Sequence, residues 1–202
     1  MNKIYWPPEG INWYYSDEWA AIPPMKIRRV FAQPSRHTFL IKPVRELILQ
    51  YVNNPLCWID PCAGYHSLAG ITNDLNPECP TDYHLHMLDF AKKLDGQYDG
   101  ILFDPPYSLQ QMKEVYNSIG IDKLRKRDAQ RFYGDARYVF APKIKDGGYA
   151  ICCGWNSIGF GKRRGFEMLE VLLVCHGRAH NDTIVTVEMK RQMYFDLRDN
   201  NE

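Results

Sequence analysis

Short apolar runs bounded by turn-forming residues recur along this chain, and they alternate with longer stretches of helical periodicity. Leu56–Ile59, Gly70–Thr72, Tyr83–Leu88, Gly100–Phe103, Tyr149–Gly154, Val171–His176 and Thr183–Met189 predict seven strands. Leu47, Ile48 and Tyr51 share one face of a helix expected from Lys42 or Pro43 to Tyr51, and Asn53-Asn54-Pro55 stops it. Further helices are expected over Leu109–Ser118, Arg125–Phe140 and roughly Arg164–Glu170. Strands alternating with helices imply a parallel sheet. The last two strands are joined through Gly177–Asn181 by too few residues for a parallel crossover, so they predict an antiparallel hairpin. The expected class is therefore α/β, with a Rossmann-like, mostly parallel seven-strand sheet ending in a C-terminal antiparallel hairpin.

Residues 1–34 break this rhythm. They hold Trp6, Trp13, Trp19 and three tyrosines, with Pro-Pro at 7–8 and 23–24, and predict an irregular arm that packs through its aromatics. Residues 35–202 are expected to form a single domain. Nothing in the 202 residues approaches a membrane-spanning apolar run, and the N-terminus lacks the apolar core of a signal peptide. Six cysteines without a CxxC pair, several of them inside apolar runs, suit reduced thiols of a cytoplasmic protein.

Candidate chemistry gathers where the apolar runs end. "ILFDPPYS" stops at Asp104 because neither Pro105 nor Pro106 has an N–H for the sheet ladder. This fixes Asp104 and Tyr107 at a strand's C-terminal edge, where open α/β sheets bind ligands. "WIDPCAGYHS" ends another strand at Asp60, followed by Pro61 and a tight Ala63-Gly64 turn in which glycine lets the backbone approach a ligand. "ITNDLNP" places Asp74 after the next strand, where such sheets put an acid for ribose hydroxyls. "HLHMLDF" ends with Asp89 and Phe90, suited to an adenine ring. His84 and His86 read as a half-buried strand edge with no third ligand, so no metal site is expected.

In this order the segments resemble phage-type amino-methyltransferases, specifically N6-adenine DNA methyltransferases, over roughly residues 35–190. The catalytic D-P-P-Y motif matches Asp104, Pro105, Pro106 and Tyr107. The first cofactor motif matches Asp60, Pro61 and Gly64, with Cys62 in place of the usual Phe. "TFLIKPVREL", with Phe39, Lys42 and Pro43, is similar to the F-x-x-K-P segment, and its position before the glycine turn gives a gamma-like motif order. The resemblance implies the class I methyltransferase fold and S-adenosylmethionine as cofactor. It implies Phe39, Lys42, Asp60, Pro61, Ala63, Gly64, Asp74, Asp89 and Phe90 as the residues around that cofactor. It also implies a cytoplasmic setting in a bacterium or phage-infected host, and a monomer or weak homodimer. The second glycine of the first motif is absent, and the helix after it is nearly deleted.

The residues suit that chemistry. An exocyclic base amine is a weak nucleophile, and the Asp104 carboxylate with the Pro105 carbonyl can accept its two hydrogens and free its lone pair. Tyr107 offers a stacking face for a base flipped out of its helix. C5-cytosine chemistry is set aside, because Pro61-Cys62 sits in the cofactor turn and Cys152-Cys153 inside a predicted strand. Asp104 argues against protein-glutamine enzymes, which begin this motif with Asn. N4-cytosine and RNA base-amine methylation stay open, as does a non-catalytic DNA-binding decoy.

A net charge of +1 conceals asymmetry. Between Ile121 and Arg164 lie eleven basic and four acidic residues, which points to a nucleic-acid face. Arg125, Lys126, Arg127, Arg131, Lys162, Arg163 and Arg164 are its candidate contacts to DNA, within recognition elements expected over 108–165. Phe132 and Tyr133 are the candidate wedges beside a flipped nucleotide.

Overall fold

The computed structural model describes residues 24–120, 126–177 and 180–191, with the backbone alone for 126–130. In chain order the elements are β1 (Lys26–Phe31), α1 (Lys42–Tyr51), β2 (Trp58–Asp60), β3 (Ile71–Thr72), α2 (Met87–Lys93) and β4 (Tyr98–Phe103). They continue as α3 (Leu109–Ser118), α4 (Lys126–Phe140), β5 (Ile144–Gly154), β6 (Phe166–Cys175) and β7 (Thr183–Lys190). The seven strands form one sheet in the order β1-β6-β7-β5-β4-β2-β3. β7 lies antiparallel between β5 and β6, and every other pairing is parallel.

Alternation along the central strands distributes two cores. Ile101, Phe103, Ala150 and Cys152 face α2, α3 and α4, against Phe90, Met112 and Phe140. Leu102, Ile151 and Cys153 face the other way, onto Val44, Leu47 and Ile48 of α1. The sheet is thus covered on both faces, as parallel strands require. Each of these side chains is buried, and the apolar area removed from water holds the layers together.

Three elements differ from the sequence-based expectation. The strand expected over Tyr83–Leu88 is reduced to one bridge between Asn73 and Tyr83. The Asn73 side chain, 1% exposed, replaces the missing ladder. It donates to the carbonyls of Pro61 and Leu85, both at 3.0 Å, and accepts from the Leu85 amide at 2.9 Å. The chain is then free to turn into α2, whose first turn His86 caps by accepting from the Leu88 amide at 3.3 Å. His86 is therefore a helix cap rather than part of a strand edge.

The helix expected over Arg164–Glu170 is a short 3-10 turn, Lys162–Arg164, followed directly by β6. β6 sits between β1 and β7, and pairing on both edges overrides the helical look of "EMLEVLLV". The expected N-terminal arm instead contains β1, which runs parallel to β6 from Lys26↔Glu170 to Phe31↔Cys175. Its aromatic residues Trp6, Trp13 and Trp19 lie outside the described residues. The sheet still has seven strands, because β1 supplies the one that Tyr83–Leu88 does not.

Replacing Asn73 by Leu strands the Pro61 carbonyl and both polar groups of Leu85. Chemical denaturation of Asn73→Leu is expected to show a stability loss of about 2–4 kcal/mol. A loss below half a kilocalorie would mean that water replaces the side chain easily.

Candidate active site

β2, β3 and β4 are parallel neighbours, so their C-terminal ends meet at one edge of the sheet. At the end of β2 the Asp60 carboxylate is fully buried, accepting from the Cys62 amide at 3.0 Å and the Ser67 hydroxyl at 2.6 Å. These bonds fold the Pro61–Gly64 turn over it. Gly64 has φ +53, and nothing lies within 4 Å of where a Cβ would stand. Its amide donates to Asp74 at 2.9 Å, while the other Asp74 oxygen accepts from the Asn76 amide at 2.8 Å.

The Asp-Pro-Pro-Tyr segment leaves β4 beside this turn. Tyr107 donates its hydroxyl to Asp104 at 2.6 Å, and the Thr38 hydroxyl lies 3.1 Å from the same phenol oxygen. The Tyr107 amide donates to the Gln111 side chain at 2.6 Å, and Ser108 caps α3 by accepting from the Gln111 amide at 3.1 Å. From α4, the Tyr133 hydroxyl donates to the Pro106 carbonyl. The motif is held from three sides.

These parts enclose a cavity of about 620 Å³. Phe39, Pro61, Ala63, Gly64, Asp74, Asp104, Pro105, Pro106 and Tyr107 line it. Asp60 lies beneath the turn and shapes it without lining the cavity. Lys42 is exposed at the start of α1 and faces Glu46 at 3.8 Å. Asp89 is exposed in α2 and pairs with Lys92 at 2.6 Å, while Phe90 is fully buried in the core. Leu85 and Met87 line the cavity instead, because the loss of the expected strand turns Asp89 and Phe90 away.

Sequence reading also passed over Arg36, His37, Tyr65 and His66, which line the cavity too. The His37 and His66 rings meet edge-on, with centroids 4.7 Å apart. Among the described residues Arg36, His37 and His66 are the basic side chains of the lining, and the acids are Asp74, Asp104 and Glu114. The departure "GYHS" from a second glycine was the signal for His66.

Burial governs the acids. It pushes the Asp104 carboxyl up to about 6, against the Tyr107 and Thr38 hydroxyls, which favour the charged form. It pushes Asp60 further, to about 8, against the Ser67 and Cys62 bonds, with repulsion from Asp104 and Asp74 adding to the rise.

The basic stretch divides. Arg125 lies outside the described residues, as do the side chains of Lys126 and Arg127. Arg131 is exposed on α4. Lys162 and Arg163 are exposed between β5 and β6, with Lys162 3.5 Å from Glu167. Arg164 is partly buried and donates to the Phe160 carbonyl at 2.8 Å, so it holds its own loop together. Phe132 is 8% exposed and lines the cavity, and Tyr133 supports Pro106, so neither projects as a wedge.

No family model and no curated protein sequence matches the chain. Solved structures do. TrmN from Thermus thermophilus aligns with a TM-score of 0.51 and 14% identity over 75% of this chain and 49% of its own. The chain thus spans about half of that protein's length. The 1,6-didemethyltoxoflavin-N1-methyltransferase of Burkholderia thailandensis was crystallised with 1,6-didemethyltoxoflavin and S-adenosylhomocysteine. It aligns with a TM-score of 0.51 and 12% identity over 75% of this chain and 78% of its own. With the sheet order above, these likenesses define the class I, Rossmann-like methyltransferase fold.

A carboxyl raised by folding stays protonated in the native state while it ionises in the unfolded chain. Asp60, at about 8 against an ordinary 3.8, therefore stabilises fully below about pH 4, and that contribution fades as pH rises to about 8. Asp60→Asn keeps both partners and is expected to flatten the fall in melting temperature above about pH 7, where Asp104 is mostly ionised. A slope unchanged from wild type would show that Asp60 is charged throughout.

Proposed function

We propose that this protein is an S-adenosylmethionine-dependent methyltransferase acting on the N6 amino group of adenine in DNA. The observation that carries this reading is that Asp104, Pro105 and Tyr107 line the same cavity as the Gly64 turn and Asp74. Such a cavity is large enough for a nucleoside-sized cofactor beside a base.

The residues present fit the cofactor. Open space over Gly64 admits a ligand close to the backbone, and Asp74 keeps lone pairs for ribose hydroxyls beyond its two amide bonds. Arg36, His37 and His66 place basic groups in the cavity wall, where an amino-acid carboxylate is neutralised. When bound, the cofactor supplies an electrophilic methyl group on a sulfonium.

The protein's share is to orient the amine and hold its charge. Asp104 accepts one N–H hydrogen and the rigid Pro105 carbonyl the other, which localises the nitrogen lone pair and stabilises positive charge on nitrogen. The Tyr107 hydroxyl occupies one Asp104 oxygen and fixes the carboxylate's direction, leaving lone pairs for the amine. The Tyr107 ring lines the cavity as a stacking surface. The recessed position of Asp104 in the cavity wall excludes a base still stacked in a duplex, so the target must swing out.

Tritiated-methyl transfer to unmodified DNA and RNA, followed by nucleoside digestion, tests the reading. Label in N6-methyldeoxyadenosine from DNA is expected, and label in N4-methyldeoxycytidine or in RNA would replace the substrate named here. Activity should rise with pH through an apparent pKa near 6 as Asp104 ionises. Asp104→Ala is expected to lower kcat about 10²–10³-fold with S-adenosylhomocysteine affinity unchanged. Retained turnover would reject the mechanism.

Asp74→Ala should do the opposite, weakening S-adenosylhomocysteine binding in calorimetry by about tenfold or more while DNA affinity holds. Parallel loss of both affinities would reveal a folding role.

A further inference from the structure

The connection from β5 to β6, residues 155–165, is firmly held at its base and apolar at its tip. Glu188 of β7, 1% exposed, accepts from the amides of Phe160 and Gly161, the latter at 2.9 Å. Gly159 has φ +53, and a Cβ there would land on the Glu188 carboxylate. Phe160 is fully buried, edge-on to Phe103 at 5.7 Å and against Phe166 at 5.0 Å. At the tip, the Asn156 side chain accepts from the Ile158 amide at 3.1 Å. Ile158 is left 64% exposed and Trp155 40% exposed.

A single exposed aliphatic residue is ordinary. A buried carboxylate devoted to holding a loop is not, since its desolvation has to be offset by the two amides. The arrangement gives Ile158 no soft route into the core. Trp155 also meets the Tyr107 ring edge-on, with centroids 5.8 Å apart, so the loop leaves β5 beside a residue of the cavity wall. Lys162 and Arg163 are exposed in the 3-10 turn that leads into β6, with Lys162 3.5 Å from Glu167.

We infer that this loop is a preformed wedge for duplex DNA. Ile158 fills the gap left in the stack by the base that enters the cavity, Trp155 forms the adjoining rim, and Lys162 and Arg163 meet the flanking phosphates. The inference rests on the base-methylation reading, and it moves the wedge from Phe132 and Tyr133 to residues that project. Two apolar side chains flanked by two cations make too small a face for a protein partner, whereas one inserted side chain is what unstacked DNA accommodates.

Three fluorescent oligonucleotides of common sequence test it by anisotropy: a paired duplex, the same duplex with one abasic site, and the single strand. Wild type is expected to prefer the abasic duplex to the paired one, since the gap is already open. Ile158→Ala, a surface change that leaves the fold intact, should weaken abasic-duplex binding about tenfold and single-strand binding not at all. Lys162→Ala with Arg163→Ala should weaken all three and flatten their salt dependence. Equal effects of Ile158→Ala on all three probes, no effect on any, or a wild type indifferent to the abasic site would overturn the wedge. Calorimetry with S-adenosylhomocysteine stands apart: failure to bind it would sink the methyltransferase reading without touching the anisotropy result.

Discussion

Parallel pairing of β2, β3 and β4 brings three carboxylates, Asp60, Asp74 and Asp104, to one edge of a single sheet. Like charges in a partly desolvated edge repel, and the fold answers each one differently. Asp74 takes two backbone amides and so fixes the turn above the cavity. Asp60 is sealed under that turn with Ser67 and gives up much of its acidity. Asp104 faces the cavity, as Asp74 does, but with a phenol as its partner. Local structure, electrostatics and the candidate chemistry all follow from where three strands stop.

Much of this was legible because it depends on local chemistry. Proline bounds the D-P-P-Y segment, Ser108 caps α3, and apolar periodicity marks α1, so these elements fall where their residues require. The seven-strand sheet and its terminal hairpin were legible as well. What escaped were elements decided by distant partners. β1 looks like a charged stretch until β6 lies beside it, and Tyr83–Leu88 looks like a strand until the Asn73 side chain takes over the ladder. That second substitution also explains the misplaced residues: with α2 beginning at Met87, Asp89 points to solvent and Phe90 to the core. No spacing in the sequence announces that one amide side chain will replace a strand.

Support for the D-P-P-Y segment also comes from a helix whose aromatics the sequence offered as wedges beside a nucleotide. α4 places Tyr133 on the Pro106 carbonyl and Phe132 in the cavity wall, and it sets the Arg137 guanidinium 5.9 Å from the centre of the Phe103 ring. A load on the exposed side of α4, around Arg131, is therefore one turn away from contacts with the D-P-P-Y turn. Arg131 on the surface and the support of the D-P-P-Y turn share a single helix.

The sheet's outermost strand has a consequence for how copies of this molecule treat one another. Among the described residues β1, six residues long, sits at an edge of the sheet, where unpaired backbone groups invite a strand from another chain. Its sequence, KIRRVF, answers that invitation with charge. Glu170 neutralises Arg28, but Lys26 and Arg29 keep theirs, so an approaching identical strand meets repulsion before it can form a hydrogen bond. The exposed Ile27 and Phe31 alternate with those cations along the same six residues. Neutralising Lys26 and Arg29 together would turn a guarded edge into a template for fibrous self-association.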